Sequence, residues 1–149
     1  MQTVLGEYCT QGGGLFVSGS YIATDLFASR DSSDIKFARQ VLHLNYVTHH
    51  AAADGRVVVA DERFGSRSEI IAFNSAIHPQ IYTVEAPDAL EPADSLGRII
   101  LRYAENQFSA GVAYTSRHRV VALGFPFETI LEPRQRENLM QAVLDFVWR

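Results

Sequence analysis

Lysine is nearly missing from this chain. Lys36 is the only one among 13 basic residues, so the positive charge is almost all arginine. Arginine forks suit carboxylate or phosphate contacts, but here they are scattered and read as solvated surface. Acidic residues outnumber basic ones, 17 to 13, for a formal net charge of -4. That balance excludes the basic footprint a nucleic-acid binder needs. Cysteine is limited to Cys9, which excludes an internal disulfide and says little about compartment. No apolar run approaches the ~20 residues of a helical membrane span, and the amino end carries no signal-peptide pattern. Internal repeats and low-complexity tracts are also missing.

What remains is a chain of 149 residues, 47% hydrophobic, enough for one globular domain over 1–149 with a proper core. Val4, Leu5, Tyr8 and Cys9 read as the last turns of a helix running into Gly12. A doubly wound sheet normally has strands and helices before such a point. The expectation is therefore that these residues are the carboxyl-terminal part of a longer chain.

The most informative stretch follows. Three glycines, Gly12 to Gly14, precede the apolar run Leu15 to Val17, which ends at Gly19. From Tyr21, Ile22, Asp25 and Leu26 the spacing becomes helical. The reading is a buried strand, a tight glycine turn and a helix starting at the strand's carboxyl end. Ligands and catalytic groups collect at such turns in open α/β sheets. The turn also has the outline of a nucleophile elbow, with Gly19 and Ala23 as the small residues two before and two after Tyr21. A phenol is a poor nucleophile near neutral pH without a strong neighbouring base.

Farther on, Arg30 to Asp34 reads as a polar loop with Ser33 or Asp34 as N-cap, and Ile35 to Leu44 as an amphipathic helix. Asp54-Gly55 is a hairpin signal, predicting that Tyr46 to His50 pairs antiparallel with Val57 to Ala60. Asp61 to Ser68 reads as loop, Ile70 to Phe73 as a short apolar piece and Ile81 to Glu85 as a strand. Ala86 to Gly97, with two prolines and three carboxylates, reads as an exposed loop. Arg98 to Tyr103 and Ala110 to Thr115 read as strands, Arg117-His118 as a turn, and Val120 to Phe125 as the central strand. Pro133 opens a final helix through Val147. The order predicts α/β architecture, a three-layer sandwich with a mostly parallel sheet and an antiparallel extension.

The elbow and the strand Val120 to Glu128 together resemble the class I glutamine amidotransferase-like superfamily, which has a flavodoxin-like sheet. The resemblance implies a cysteine at the elbow and a His-Pro-Glu motif after a late central strand. In this chain Tyr21 stands at the cysteine position, Phe125 at the histidine position before Pro126, and Glu128 one residue beyond the acid. Nucleophile and base are both missing, and either loss disables that chemistry.

More specifically, Gly12 to Ala23, Val84 to Pro92, Arg102 to Asn106 and Gly124 to Ile130 look like the carboxyl-terminal region of large secreted proteins from the Bacteroidetes labelled xanthan lyases. The resemblance implies a non-catalytic accessory domain of a carbohydrate-active protein, outside the cell or in the periplasm. Its implied partners are the rest of the parent polypeptide and polysaccharide, with no cofactor. Two other readings stay open. One is a lyase or hydrolase using Tyr21, Glu128 and Glu85 or Asp88 as acid–base groups. The other is an anion-binding module in which Ser18, Gly19, Ser20 and Tyr21 present the helix start.

The histidines His43, His49, His50, His78 and His118 do not recur at ligand spacing, so no metal site is expected. Glu85, Asp88, Glu91 and Asp94 lack the Asp-x-Asp-x-Asp-Gly loop of a calcium site and read as a solvated acidic loop. Tyr8, Tyr46, Tyr82 or Tyr103 with Trp148 are candidates for a sugar-stacking face.

Overall fold

A computed structural model describes residues 1–29 and 31–148. Arg30, read as the start of a polar loop, lies outside the described residues. Four helices are present among the described residues: α1 (Gln2–Thr10), α2 (Ile22–Ala28), α3 (Ser32–Gln40) and α4 (Pro133–Val147). The strands are β1 (Gly14–Ser18), β2 (Leu44–Thr48), β3 (Arg56–Val59), β4 (Ile70–Ala72), β5 (Ala89–Pro92), β6 (Gly97–Tyr103), β7 (Ser109–Thr115) and β8 (Arg119–Leu123).

Six strands form one curled sheet, a half-barrel, in the order β1-β8-β7-β6-β3-β4. Only β1 and β8 run parallel, with Leu15 opposite Val120 and Val17 opposite Ala122; the other four pairings are antiparallel. This overturns the expected flavodoxin-like, mostly parallel three-layer sandwich. The physical reason lies in the connections. Residues 104–108 join β6 to β7, and 116–118 join β7 to β8. Neither is long enough for the crossover of a dozen or more residues that parallel neighbours require.

The expected hairpin is also corrected. Gly55 does turn in the left-handed region (φ 64). Yet β2 pairs with β5 in a separate two-stranded sheet, while β3 pairs with β4 and β6. The segment read as an exposed loop therefore contains a strand, and Ala86, Pro87, Asp88, Ala89 and Leu90 are all buried. Ile81 to Glu85, read as a strand, is irregular. Asp31, rather than Ser33 or Asp34, caps α3, its Oδ1 accepting from the Ser33 N–H at 2.8 Å.

Alternation along β8 divides the core. Val121 and Leu123 face one cluster with Phe64, Phe73, Phe125, Leu139 and Val143, under α4. Val120 and Ala122 face the other, with Ala23, Ala38, Leu42 and Leu90, under α2 and α3. β8 lies between β1 and β7 and is buried on both faces, which accounts for its unbroken apolar sequence. Among the described residues β1 pairs with a strand on one side only, so it forms an edge of the sheet.

Candidate functional site

The strand β1 ends at Ser18, and the chain turns sharply through Gly19 (φ 159) to Tyr21, which precedes α2 in the left-handed region with φ 64. A non-glycine residue there is uncommon and carries strain. The turn holds because its surroundings fix it. The Gly19 N–H donates to the Leu123 carbonyl at 3.3 Å, and the Ser18 hydroxyl accepts from the Phe127 N–H at 3.2 Å. The Phe16 and Phe127 rings meet edge to face, 5.7 Å apart.

Three segments enclose an open crevice of about 370 Å³ beside this turn. Ser18 to Tyr21 form one wall, Tyr82 to Ala86 another, and Pro126 with Glu128 the third. The second wall is irregular backbone pinned by Asn74, whose side-chain amide donates to the Ile81 and Tyr82 carbonyls at 2.9 and 3.0 Å. Tyr21, Glu128, Glu85, Ser18, Gly19 and Ser20 thus share one crevice.

Asp88 does not join them. It is fully buried behind α2, where Oδ2 accepts from the Ala23 and Thr24 N–H groups at 2.9 and 3.2 Å and Oδ1 accepts from the Thr24 hydroxyl at 2.6 Å. Burial raises the Asp88 carboxyl above the usual carboxylate range, although the Thr24 and Ala23 donors pull it down. The start of α2 therefore already holds an internal carboxylate. An anion arriving from solvent finds those two amides taken, which weighs against the anion-binding reading.

Tyr21 is 41% exposed, and among the described residues its hydroxyl has no hydrogen-bond partner. Glu128 instead accepts from the Tyr82 hydroxyl at 2.7 Å. Desolvation and the neighbouring Glu128 carboxylate push the Tyr82 phenol up to about 12. Phe125 is sealed in the core, stacked on Phe73 at 4.6 Å between centroids. It does not line the crevice. The two positions at which the sequence resemblance implied a thiol and an imidazole thus hold an exposed phenol and a buried benzyl ring.

Outside the crevice, the structure brings together groups that sequence reasoning kept apart. The His43 Nδ1–H donates to Asp94 Oδ2 at 2.9 Å, and the ring stacks flat on Tyr114 at 3.3 Å and lies 5.2 Å from His118. Burial lowers the His43 imidazole, the Asp94 hydrogen bond and charge opposing it. The His118 ring nitrogen bonds the Val41 carbonyl at 2.9 Å. No side chain with nucleophile chemistry completes this pair, and the cluster reads as a clasp between the loop before β2 and the β7–β8 turn. His49 and His50 lie edge to face at 4.9 Å, and the His78 ring accepts the Gln80 and Ile81 N–H groups. Of the stacking candidates, Tyr103 is fully buried and its hydroxyl donates to the Asp88 carbonyl at 2.7 Å, so it cannot meet a sugar. Tyr8, Tyr82 and Trp148 are exposed.

No protein-family model matches the chain, and no curated protein matches it. Among solved structures it is similar to an exo-beta-1,4-mannosidase from Opitutaceae bacterium strain TAV5, with a TM-score of 0.54 and 11% identity. The match covers 99% of this chain and 22% of that one, so the chain spans under a quarter of its neighbour's length. At that identity the likeness is one of fold. It gives no support to the amidotransferase-like and xanthan-lyase resemblances beyond a distant carbohydrate-active neighbour.

Proposed function

We propose that this chain is a non-catalytic accessory domain of a larger carbohydrate-active protein, with the elbow crevice as its point of contact with glycan. The observation that carries the reading is the state of the elbow. Its backbone holds a sharp left-handed turn, yet among the described residues the Tyr21 hydroxyl is hydrogen-bonded to no base, and Phe125 is locked in the core. An acyl-transfer or proton-abstraction site needs nucleophile or base, and an orienting partner, within hydrogen-bond reach. Glu128 is engaged by Tyr82, and Asp88 by α2.

The fold neighbour, a mannosidase of which this fold forms a part, supports the carbohydrate setting. The open edge of β1 supports a role beside other parts of a polypeptide. It is flanked by an apolar groove of about 390 Å³ lined by Leu15, Val17, Ile22, Leu26 and Phe37. Unpaired strand edges with apolar flanks are normally covered.

The chain incubated with xanthan, other uronate polymers and β-mannan is expected to yield neither unsaturated uronate absorbance nor new reducing ends. Turnover that Tyr21→Phe abolishes would refute the non-catalytic reading.

A further inference from the structure

We infer that the elbow crevice selects sugars bearing an amine over neutral sugars, and neutral sugars over uronates. The inference rests on the crevice being a glycan contact and adds the charge class of the ligand. Two tyrosine rings, Tyr21 and Tyr82, are 41% and 55% exposed at its walls, offering flat apolar faces of the kind on which pyranose rings pack. Between them stand the carboxylates of Glu85 and Glu128, both exposed. Among the described residues no Lys, Arg or His lines the crevice. The Arg136 guanidinium donates to the Glu128 and Ile130 backbone carbonyls at 3.4 and 3.1 Å and lines a separate hollow with Phe127.

The hydrogen-bond inventory points the same way. An ionised carboxylate only accepts. One Glu128 oxygen accepts from the Tyr82 hydroxyl, and Glu85, which also lines the crevice, has no side-chain hydrogen bond among the described residues. These acceptors call for donors: sugar hydroxyls or, better, an ammonium. A uronate carboxylate would bring acceptors and a like charge, with nothing cationic in the wall to receive it.

Solvent-exposed charge pairs are individually weak and screened by salt. Two of them favour the amine by roughly three- to ten-fold at low ionic strength.

The test uses the full chain, isotope-labelled, titrated with three probes at about pH 6, where a sugar amine is protonated. The probes are the β-1,4-linked glucosamine trisaccharide, β-1,4-mannotriose and trigalacturonate, followed through the amide signals of Ser20, Tyr82 and Glu85. The expected order is amine, then neutral, then uronate. The spread should close in high salt and in the Glu85→Gln/Glu128→Gln double variant, while Tyr21→Ala weakens all binding. Both glutamates are exposed, so an unchanged Tm verifies that the double variant folds. Equal binding of all three, or uronate binding tightest, overturns the charge inference and leaves the glycan reading standing. Silence with all three probes overturns both.

Discussion

Asp88 gives the sharpest test of how the elbow is held. Its carboxylate satisfies the buried Ala23 N–H and the Thr24 N–H across 65 and 64 residues of sequence, and bonds the Thr24 hydroxyl as well. In Asp88→Ala two amide donors at the start of α2 lose their acceptor. Each buried donor left unpaired costs about 1–3 kcal/mol. Removing the carboxylate also removes its own desolvation penalty, which offsets part of that. The net expectation is a loss of ~3 kcal/mol. For a domain of this size that is a fall in Tm of roughly 6–12 °C, read by calorimetry.

Asp88→Asn keeps an oxygen for the two amides and should stay within about 1 kcal/mol of the parent. The pH dependence has a defined sign. The folded carboxyl of Asp88 is raised above its unfolded value by burial. Its contribution to stability is therefore complete below about pH 4 and is lost as pH rises through the raised value. Asp88→Asn cannot ionise, so its stability relative to the parent should improve between pH 4 and neutrality. A loss under 1 kcal/mol in Asp88→Ala, or an Asn variant that worsens with rising pH, would refute the reasoning.

Other expectations follow from the same walls. Gly124→Ala drives its new Cβ into the Asp88 backbone carbonyl, which can move only by breaking the Asp88–Gly124 and Tyr103–Asp88 hydrogen bonds. A cost of about 3 kcal/mol or more is expected in urea unfolding, and a neutral result would contradict the packing. Placing a thiol and an imidazole at these two positions with Tyr21→Cys/Phe125→His should give no acyl-enzyme burst on activated esters, because residue 125 stacks on Phe73 and does not line the crevice. The same variant should be less stable than Tyr21→Cys alone by ~2 kcal/mol or more, since it buries a polar ring in an apolar stack. In Glu128→Gln the Tyr82 phenol should titrate below its raised value of about 12, moving toward the ordinary 10, in an ultraviolet phenolate titration. An unmoved Tyr82 would mean that the carboxylate has no hold on it.

Some of this architecture is legible in the residues, and the boundary has physical causes. The strand–turn–helix around Tyr21 is written locally, by glycines and a change of hydrophobic period, and so is the Pro133 helix. Strand direction is written in connection length. The turn at Arg117-His118 is too short for a crossover and so implies antiparallel neighbours, whereas the strand–turn–helix around Tyr21 carries no information on the direction of the other strands. The pairing of Tyr46 with Leu90 across the chain has no local signature, so the Asp54-Gly55 turn drew the wrong partner. Asp88 offered a clue: a carboxylate among Val84, Ala86, Pro87, Ala89 and Leu90 is costly to bury unless something receives it. Which groups receive it, more than sixty residues upstream, only the folded chain reveals. The Tyr82–Glu128 contact is of the same long-range kind.

The open rim of β1 carries a practical consequence. Its unpaired N–H and C=O groups, set in the run Leu15-Phe16-Val17, form a template that accepts whichever strand arrives first. In dilute solution of the isolated chain the available strand is that of another molecule. Two copies meeting rim to rim would extend both sheets at once, so the amount of dimer should climb with protein concentration.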